Sequence, residues 1–139
     1  MVTRGTFVGQ PLVITNPVAE GDLLTFDASG GDTWSGDLSG TTVYSGHGTL
    51  DLTTGETRIV LHETFTGTVA GLGTGQVHFI DYLHSAPDDL GTVTCLATGG
   101  TGGLRGVHGA VQFTTSQIVD PDPFGNGTSY GDYTGFLFR

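Results

Sequence analysis

The chain has 139 residues, with 25 glycines and 23 threonines, no lysine and four arginines, and a formal charge of −10. Its length suits one domain whose core needs no staple, and Cys95, the single cysteine, can form no internal disulfide. The scarcity of cations excludes the basic surface that nucleic acid or an anionic membrane requires, no apolar run approaches the about 20 residues that span a bilayer, and a 36% hydrophobic share argues against disorder.

Glycine and threonine interrupt every window, and no stretch holds apolar residues at helical spacing over three turns, so helices are not expected. Met1-Val2-Thr3-Arg4 opens no apolar signal stretch, which makes a cytoplasmic protein the default expectation. Strands are predicted, in chain order, at Thr6–Ile14, Asp22–Trp34, Thr41–Leu52, Glu56–Ala70, Gly75–His84, Leu90–Thr98, Val107–Ser116 and Ser129–Phe138. Turn chemistry falls between them at Asp37-Leu38-Ser39-Gly40, Thr53-Thr54-Gly55, Gly71-Leu72-Gly73-Thr74 and Pro87-Asp88-Asp89. Eight short-linked strands with no repeat and no internal boundary imply one all-β domain over residues 1–139. Closing the antiparallel sheet into an eight-stranded β-barrel would remove its exposed edges. The longer link Gln117–Thr128, with Pro121 and Pro123, suits either a flap over the barrel mouth or a surface loop. Its Asn126-Gly127-Thr128 sequon reads as a turn.

Side chains alternate along a strand, so the more apolar parity marks the interior. Ile59, Leu61 and Phe65 share a parity with Glu63; Val77, Phe79 and Leu83 share one with Asp81; Phe26, Ala28 and Trp34 share one with Asp32. Val93, Cys95 and Ala97, then Val107, Val111 and Phe113, complete the inward set. A hairpin symmetric about Leu72 would set Gly67 opposite Val77, Phe65 opposite Phe79 and Glu63 opposite Asp81, with the two carboxyls about 5 Å apart at Cβ. Two such groups in an apolar lumen cannot both ionise cheaply, which gives a neutral acid beside a charged base. The alternatives at this point are an outward-facing carboxyl, a pairing with Arg58 or Arg105, or a register slipped by one residue.

Other chemistry is sparse. His62, His78 and His84 fall on outer faces, His47 shares the parity of Val43, and His108 lies in a glycine-rich turn. No His-x-His, His-Glu-x-x-His or Cys-x-x-Cys spacing occurs, so neither a metal nor a cofactor is expected. Gly-x-Ser-x-Gly is missing, Ser45 with His47 makes only a weak pair, and no lysine exists to complete a phosphate loop. Cys95 reads as a lumen nucleophile or, more simply, as a small apolar filler. Trp34 and the phenylalanines either stack on a flat ligand or pack the core.

The segment Gly99-Gly100-Thr101-Gly102-Gly103-Leu104-Arg105-Gly106-Val107-His108-Gly109 resembles the Gly-Gly-Thr-Gly-x-Phe-Arg-x-Ala-Arg-Gly turn of dirigent proteins. It is similar also to the matching turn of allene oxide cyclases and of a small uncharacterised bacterial family with the same barrel. That bacterial family resembles this chain again at Trp34-Ser35-Gly36-Asp37-Leu38-Ser39-Gly40-Thr41 and at Glu63-Thr64-Phe65-Thr66-Gly67 followed by Gly71 and Gly75. Leu104 stands where the dirigent turn has an aromatic, and His108 where it has a second arginine. The resemblance implies a calycin-type, allene oxide cyclase-like barrel with a hydrophobic lumen, in a superfamily of cofactor-free cyclases and proteins that steer radical coupling.

Three functions compete at this level. The first is a cofactor-free cyclase or isomerase of a hydrophobic, secondary-metabolite-like molecule. In it Glu63 and Asp81 act as acid and base, and Trp34, Phe65, Phe79, Cys95, Phe113 and Asp32 line the substrate site. The second is a non-catalytic carrier or sensor with the same cavity. The third is a barrel filled by its own side chains. Outer apolar residues such as Ile80 and Tyr82 leave room for a homo-oligomer.

Overall fold

Alternation decides the architecture. Ile59, Leu61, Glu63 and Phe65 are all buried while Val60 and His62 between them are exposed, and Val77, Phe79 and Asp81 repeat the pattern on the next strand. Strands with one such face must cover it, and a sheet that curls onto itself does so without a second layer.

The computed structural model describes residues 2–123 and 125–139. Its ten strands are β1 (Val2–Gly9), β2 (Val13–Glu20), β3 (Leu23–Gly30), β4 (Asp32–Gly36), β5 (Leu38–Asp51), β6 (Thr57–Val69), β7 (Gly73–Ala86), β8 (Asp89–Gly102), β9 (His108–Val119) and β10 (Thr128–Phe138). All pair antiparallel in the order β2-β3-β5-β4-β1-β10-β9-β8-β7-β6, and a further β5–β6 pairing closes the ring. Among the described residues no helix is long and apolar enough to cross a membrane.

The eight predicted strands are the eight staves of this barrel, two of them broken. Thr6–Ile14 divides at Gln10–Leu12, where Pro11 ends β1, and Asp22–Trp34 divides at Gly31, where β3 passes to β4 along the same side of β5. A side chain at Gly31 would meet the Thr42 carbonyl oxygen at 2.5 Å, so only glycine lets the stave bend against β5 there. Among the described residues β2 pairs only with β3. Its outer edge is blunted by Pro17 and by the irregularity between Thr15 and Val18, where Asn16 takes φ 53°.

One predicted register is corrected. The hairpin turns at Ala70–Leu72, with Gly71 at φ 79° in the turn closed by Leu72 N–H donating to Val69 O, so β6 and β7 are two residues out from symmetry about Leu72. Gly67 therefore faces Gly75, Phe65 faces Val77, Glu63 faces Phe79 and Asp81 faces Leu61. A shift of two preserves parity, so both carboxyls still point inward.

One half of the lumen is filled. Trp34 sits at its centre with ring centroids 4.6 Å from Phe113, 5.2 Å from Phe65 and 5.6 Å from Phe79. Leu38, Val69, Leu104 and Val107 close that end. Leu104 and Val107 come from the glycine-rich turn, whose Gly102 and Gly106 take φ 62° and 79°, so the motif is the barrel's plug. Arg139 ties the end together by donating to Gly103 O and Leu72 O. At the other half Phe26, Ala28, Ile59 and Leu61 form a smaller cluster beneath an open mouth. Outside, Ile80, Leu96, Ala110, Phe136 and Val2 follow one another across β7, β8, β9, β10 and β1, and Tyr82 is half exposed.

Candidate functional site

The two halves meet at a layer of acids. Asp32 on β4, Glu63 on β6 and Asp81 on β7 face the lumen directly above the Trp34 cluster, joined by Tyr44 on β5 and Cys95 on β8. Tyr44 is directly opposite Glu63, and Cys95 directly opposite Asp81. One carboxyl oxygen each of Glu63 and Asp81 and the Cys95 sulfur lie within 4.8 Å of one another. Each of the three residues is at least 96% buried.

Among the described residues no cation forms an ion pair with them, and the charge of His62, on the outer face of β6, is the last of the influences that lower Asp81. Arg58 and Arg105, weighed as partners from the sequence, are both exposed, and the ion pairs among the described residues are His47–Asp27 and His84–Glu56 on the outer wall. Glu63 Oε2 and Asp81 Oδ1 are buried with no hydrogen-bond partner. Two full negative charges about 5 Å apart would repel by roughly 3 kcal/mol even at an effective dielectric of 20, before the cost of desolvation. Retaining a proton is the cheaper solution. Burial first, then the hydrogen bond to Asp81 and the charges of Asp81 and Asp32, push Glu63 well above the carboxyl range, although a Thr42 hydrogen bond opposes this. Burial also raises Asp81, while hydrogen bonds from Glu63 and Cys95 hold it down, so Glu63 is the donor and Asp81 the acceptor of the pair.

Asp32 is pushed up to about 6 by burial, against the opposing hydrogen bond that Trp34 Nε1 donates to its Oδ2 at 3.4 Å. Its own backbone N–H donates to Thr42 Oγ1 at 3.0 Å, which fixes the start of β4. Burial raises both the Tyr44 hydroxyl and the Cys95 thiol above their ordinary values. Cys95 is thus a hydrogen-bond donor to Asp81 and a poor nucleophile at neutral pH.

Above this layer lies a well of about 90 Å³, lined also by Phe7, Leu12, Trp34, Leu61, Leu83, Val93 and Phe113. It leads to a mouth of about 390 Å³, with which it shares Leu12, Tyr44, Leu83, Thr115 and Ser129. Ile118, Gly125, Asn126 and Gly127 border the mouth, which places the described part of the long 117–128 link at its rim. The well has room for a few waters or one small polar group, and the mouth has the lower range of a ligand pocket. The filled-barrel expectation is met in the plugged half only.

A larger concavity, about 670 Å³, is on the outer wall around Asp27, His47, Arg58, Val60, Tyr82 and His84. Its one lining acid, Asp27, is half exposed and partnered. Asp27 is held below its usual value by hydrogen bonds from Asn16 and His47, the opposite of the lumen acids. The site with perturbed chemistry is therefore the smaller, enclosed one.

Of the residues expected from the sequence, Asp32, Trp34, Glu63, Asp81, Cys95 and Phe113 converge on the well, and Phe65 and Phe79 pack against Trp34 in the filled half. Tyr44, Phe7, Thr115 and Ser129 were not foreseen there. The signal for Tyr44 was masked by its neighbour: apolar Val43 is 68% exposed, while polar Thr42 is buried. The Glu63–Asp81–Cys95 cluster comes from three strands, so no spacing rule could have found it.

The chain matches no protein-family model and no curated protein. Solved structures do resemble it. A protein of unknown function from the DUF3224 family of Shewanella oneidensis MR-1 superposes with a TM-score of 0.69 at 17% identity, covering 100% of this chain and 98% of that one. The pterocarpan synthase dirigent protein GePTS1 superposes with a TM-score of 0.57 at 14% identity, covering 100% of this chain and 85% of that one. The fold is the barrel that these two structures share, a dirigent-like barrel, as the glycine-rich turn implied.

Proposed function

We propose that the barrel binds a small hydrophobic molecule at its mouth and moves a proton on it without a cofactor, as an isomerase or cyclase, with Glu63 as acid and Asp81 as base. The observation that carries this reading is the buried carboxyl pair, unpartnered by any cation, at the floor of a well open to an apolar mouth. An acid and a base in contact, desolvated and pre-positioned, are what proton abstraction with return at a second atom requires. The likeness to a barrel named a pterocarpan synthase supports a small-molecule lumen. A carrier or sensor is the second reading. The small volume of the well favours it, because a flexible molecule cannot be wholly enclosed there.

A base in such a well should act on 5-nitrobenzisoxazole. Asp81 would take the C3 proton, the C–H electron pair would form the nitrile as the ring N–O bond breaks, and the single product would be the ring-opened cyanonitrophenolate. The expected result is elimination at least 100-fold faster than in an equal concentration of acetate, lost in Asp81→Asn. A rate that survives this substitution would refute the assignment of Asp81. Quenching of Trp34 fluorescence with no acceleration would favour the carrier.

A further inference from the structure

We propose that the ligand of this lumen is a hydrophobic amine whose ammonium group occupies the well among Asp32, Glu63 and Asp81. The inference deepens the small-molecule reading above and rests on it.

Four observations point to this class. Glu63 Oε2 and Asp81 Oδ1 are buried, belong to residues that line the well and have no hydrogen-bond partner, so two acceptor positions are on offer. The charged or titratable groups facing the well are Asp32 from β4, Tyr44 from β5, Glu63 from β6, Asp81 from β7 and Cys95 from β8; Phe7 of β1, Phe113 and Thr115 of β9 and Ser129 of β10 add none. No arginine or histidine lines either the well or the mouth among the described residues, so an anionic head group would meet only repulsion. Trp34, Tyr44, Phe7 and Phe113 supply aromatic faces of the kind that hold ammonium groups.

The route in is apolar. Leu12 and Leu83 line both the mouth and the well, and Val93 lines the well, which suits an alkyl or aryl body behind a small charged head and disfavours a bare metal ion. An ammonium group is compact enough for about 90 Å³, whereas the body stays in the mouth. The proton balance is simple. The amine enters already protonated, a carboxyl that held a proton releases it to solvent, and the ion pair replaces the shared proton with no covalent bond made between ligand and protein. Protons and ammonium thus compete for the same oxygens, so affinity falls as pH falls.

The test uses the full chain with hexylamine, 1-hexanol and hexanoate as probes, read by Trp34 fluorescence and by calorimetry in two buffers of different ionisation enthalpy. Trp34 is the only tryptophan, so the signal comes from the floor of the well. At pH 8, hexylamine is expected to bind at least tenfold more tightly than hexanol, with proton release, and hexanoate not measurably. Lowering the pH to 5 should weaken hexylamine at least tenfold and leave hexanol unchanged. Glu63→Gln with Asp81→Asn, which keeps side-chain volume, should reduce hexylamine to the level of hexanol. Hexanol or hexanoate binding as tightly as hexylamine would overturn the proposal, and so would a preference for amine that survives the double substitution. Tight binding of zinc ion to the same carboxyls without any amine preference would overturn it in favour of a metal. If Asp81 drives the elimination reaction while amines show no advantage, this inference fails and the acid–base reading stands.

Discussion

Glu63 and Asp81 lie on neighbouring strands two positions out of step, Glu63 opposite Phe79 and Asp81 opposite Leu61, and still bring their carboxyls together in the lumen. The diagonal placement matters for stability. Each acid has an apolar partner on the adjoining strand and is almost wholly buried, so solvent screens the pair poorly and a retained proton does the neutralising.

The pH dependence of stability follows from the direction of the shifts. Asp32, Glu63 and Asp81 all have folded values raised above their unfolded ones. Their contribution is complete below the unfolded values near 4 and is lost as pH rises through the folded ones, about 6 for Asp32 and raised likewise for Glu63 and Asp81. The two-unit shift of Asp32 amounts to at most about 3 kcal/mol. Asp27, which is lowered, acts in the opposite sense but only in acid, below about pH 4. Thermal denaturation should therefore give a Tm that falls from pH 5 to pH 8, and Glu63→Gln should flatten this slope and raise Tm at pH 8. A Tm that is level or rising over that range, or a Glu63→Gln protein less stable at pH 8, would contradict the account.

Trp34 is 1% exposed and touches four other aromatic rings at the junction of the two halves. Trp34→Ala should cost about 3–5 kcal/mol in urea denaturation, the cost of a large buried cavity. Trp34→Phe keeps most of the packing and removes the donor to Asp32, so it should cost less and raise the Asp32 titration further.

Tyr133 closes the barrel seam with its hydroxyl. It accepts from Leu38 N at 2.8 Å and donates to Ser35 O at 2.8 Å. Tyr133→Phe would strand the buried Leu38 N–H, at about 1–3 kcal/mol. Amide exchange at Leu38 should accelerate in that variant, with the mouth residues unaffected. Unchanged protection at Leu38 would show that another group takes over the bond.

The faces of this barrel were legible in the sequence, and its pairings were not. Alternation placed Asp32, Glu63 and Asp81 inside because a strand has only two sides, and the staves followed from runs of threonine and β-branched residues between glycine turns. Partners depend on where a hairpin turns. Gly71-Leu72-Gly73 allows two centres of the same parity, so the burial pattern was correct where the register was not. The plug was hidden for a different reason. Leu104 and Val107 lie in a turn, where apolar residues carry no period, and only the fold shows them fully buried. Tyr44 was lost because hydrophobicity pointed to Val43, an exposed residue on the opposite face of β5.

The measurement that bears most directly on the central claim is a carbon-detected NMR titration of the side-chain carboxyls from pH 3 to pH 9, with Glu63→Gln and Asp81→Asn to assign the signals. Glu63 is expected to remain protonated at neutral pH, Asp81 to titrate in a step coupled to it, and Asp81→Asn to shift the Glu63 midpoint. Two independent carboxyls with ordinary midpoints near 4, each indifferent to removal of the other, would contradict that claim.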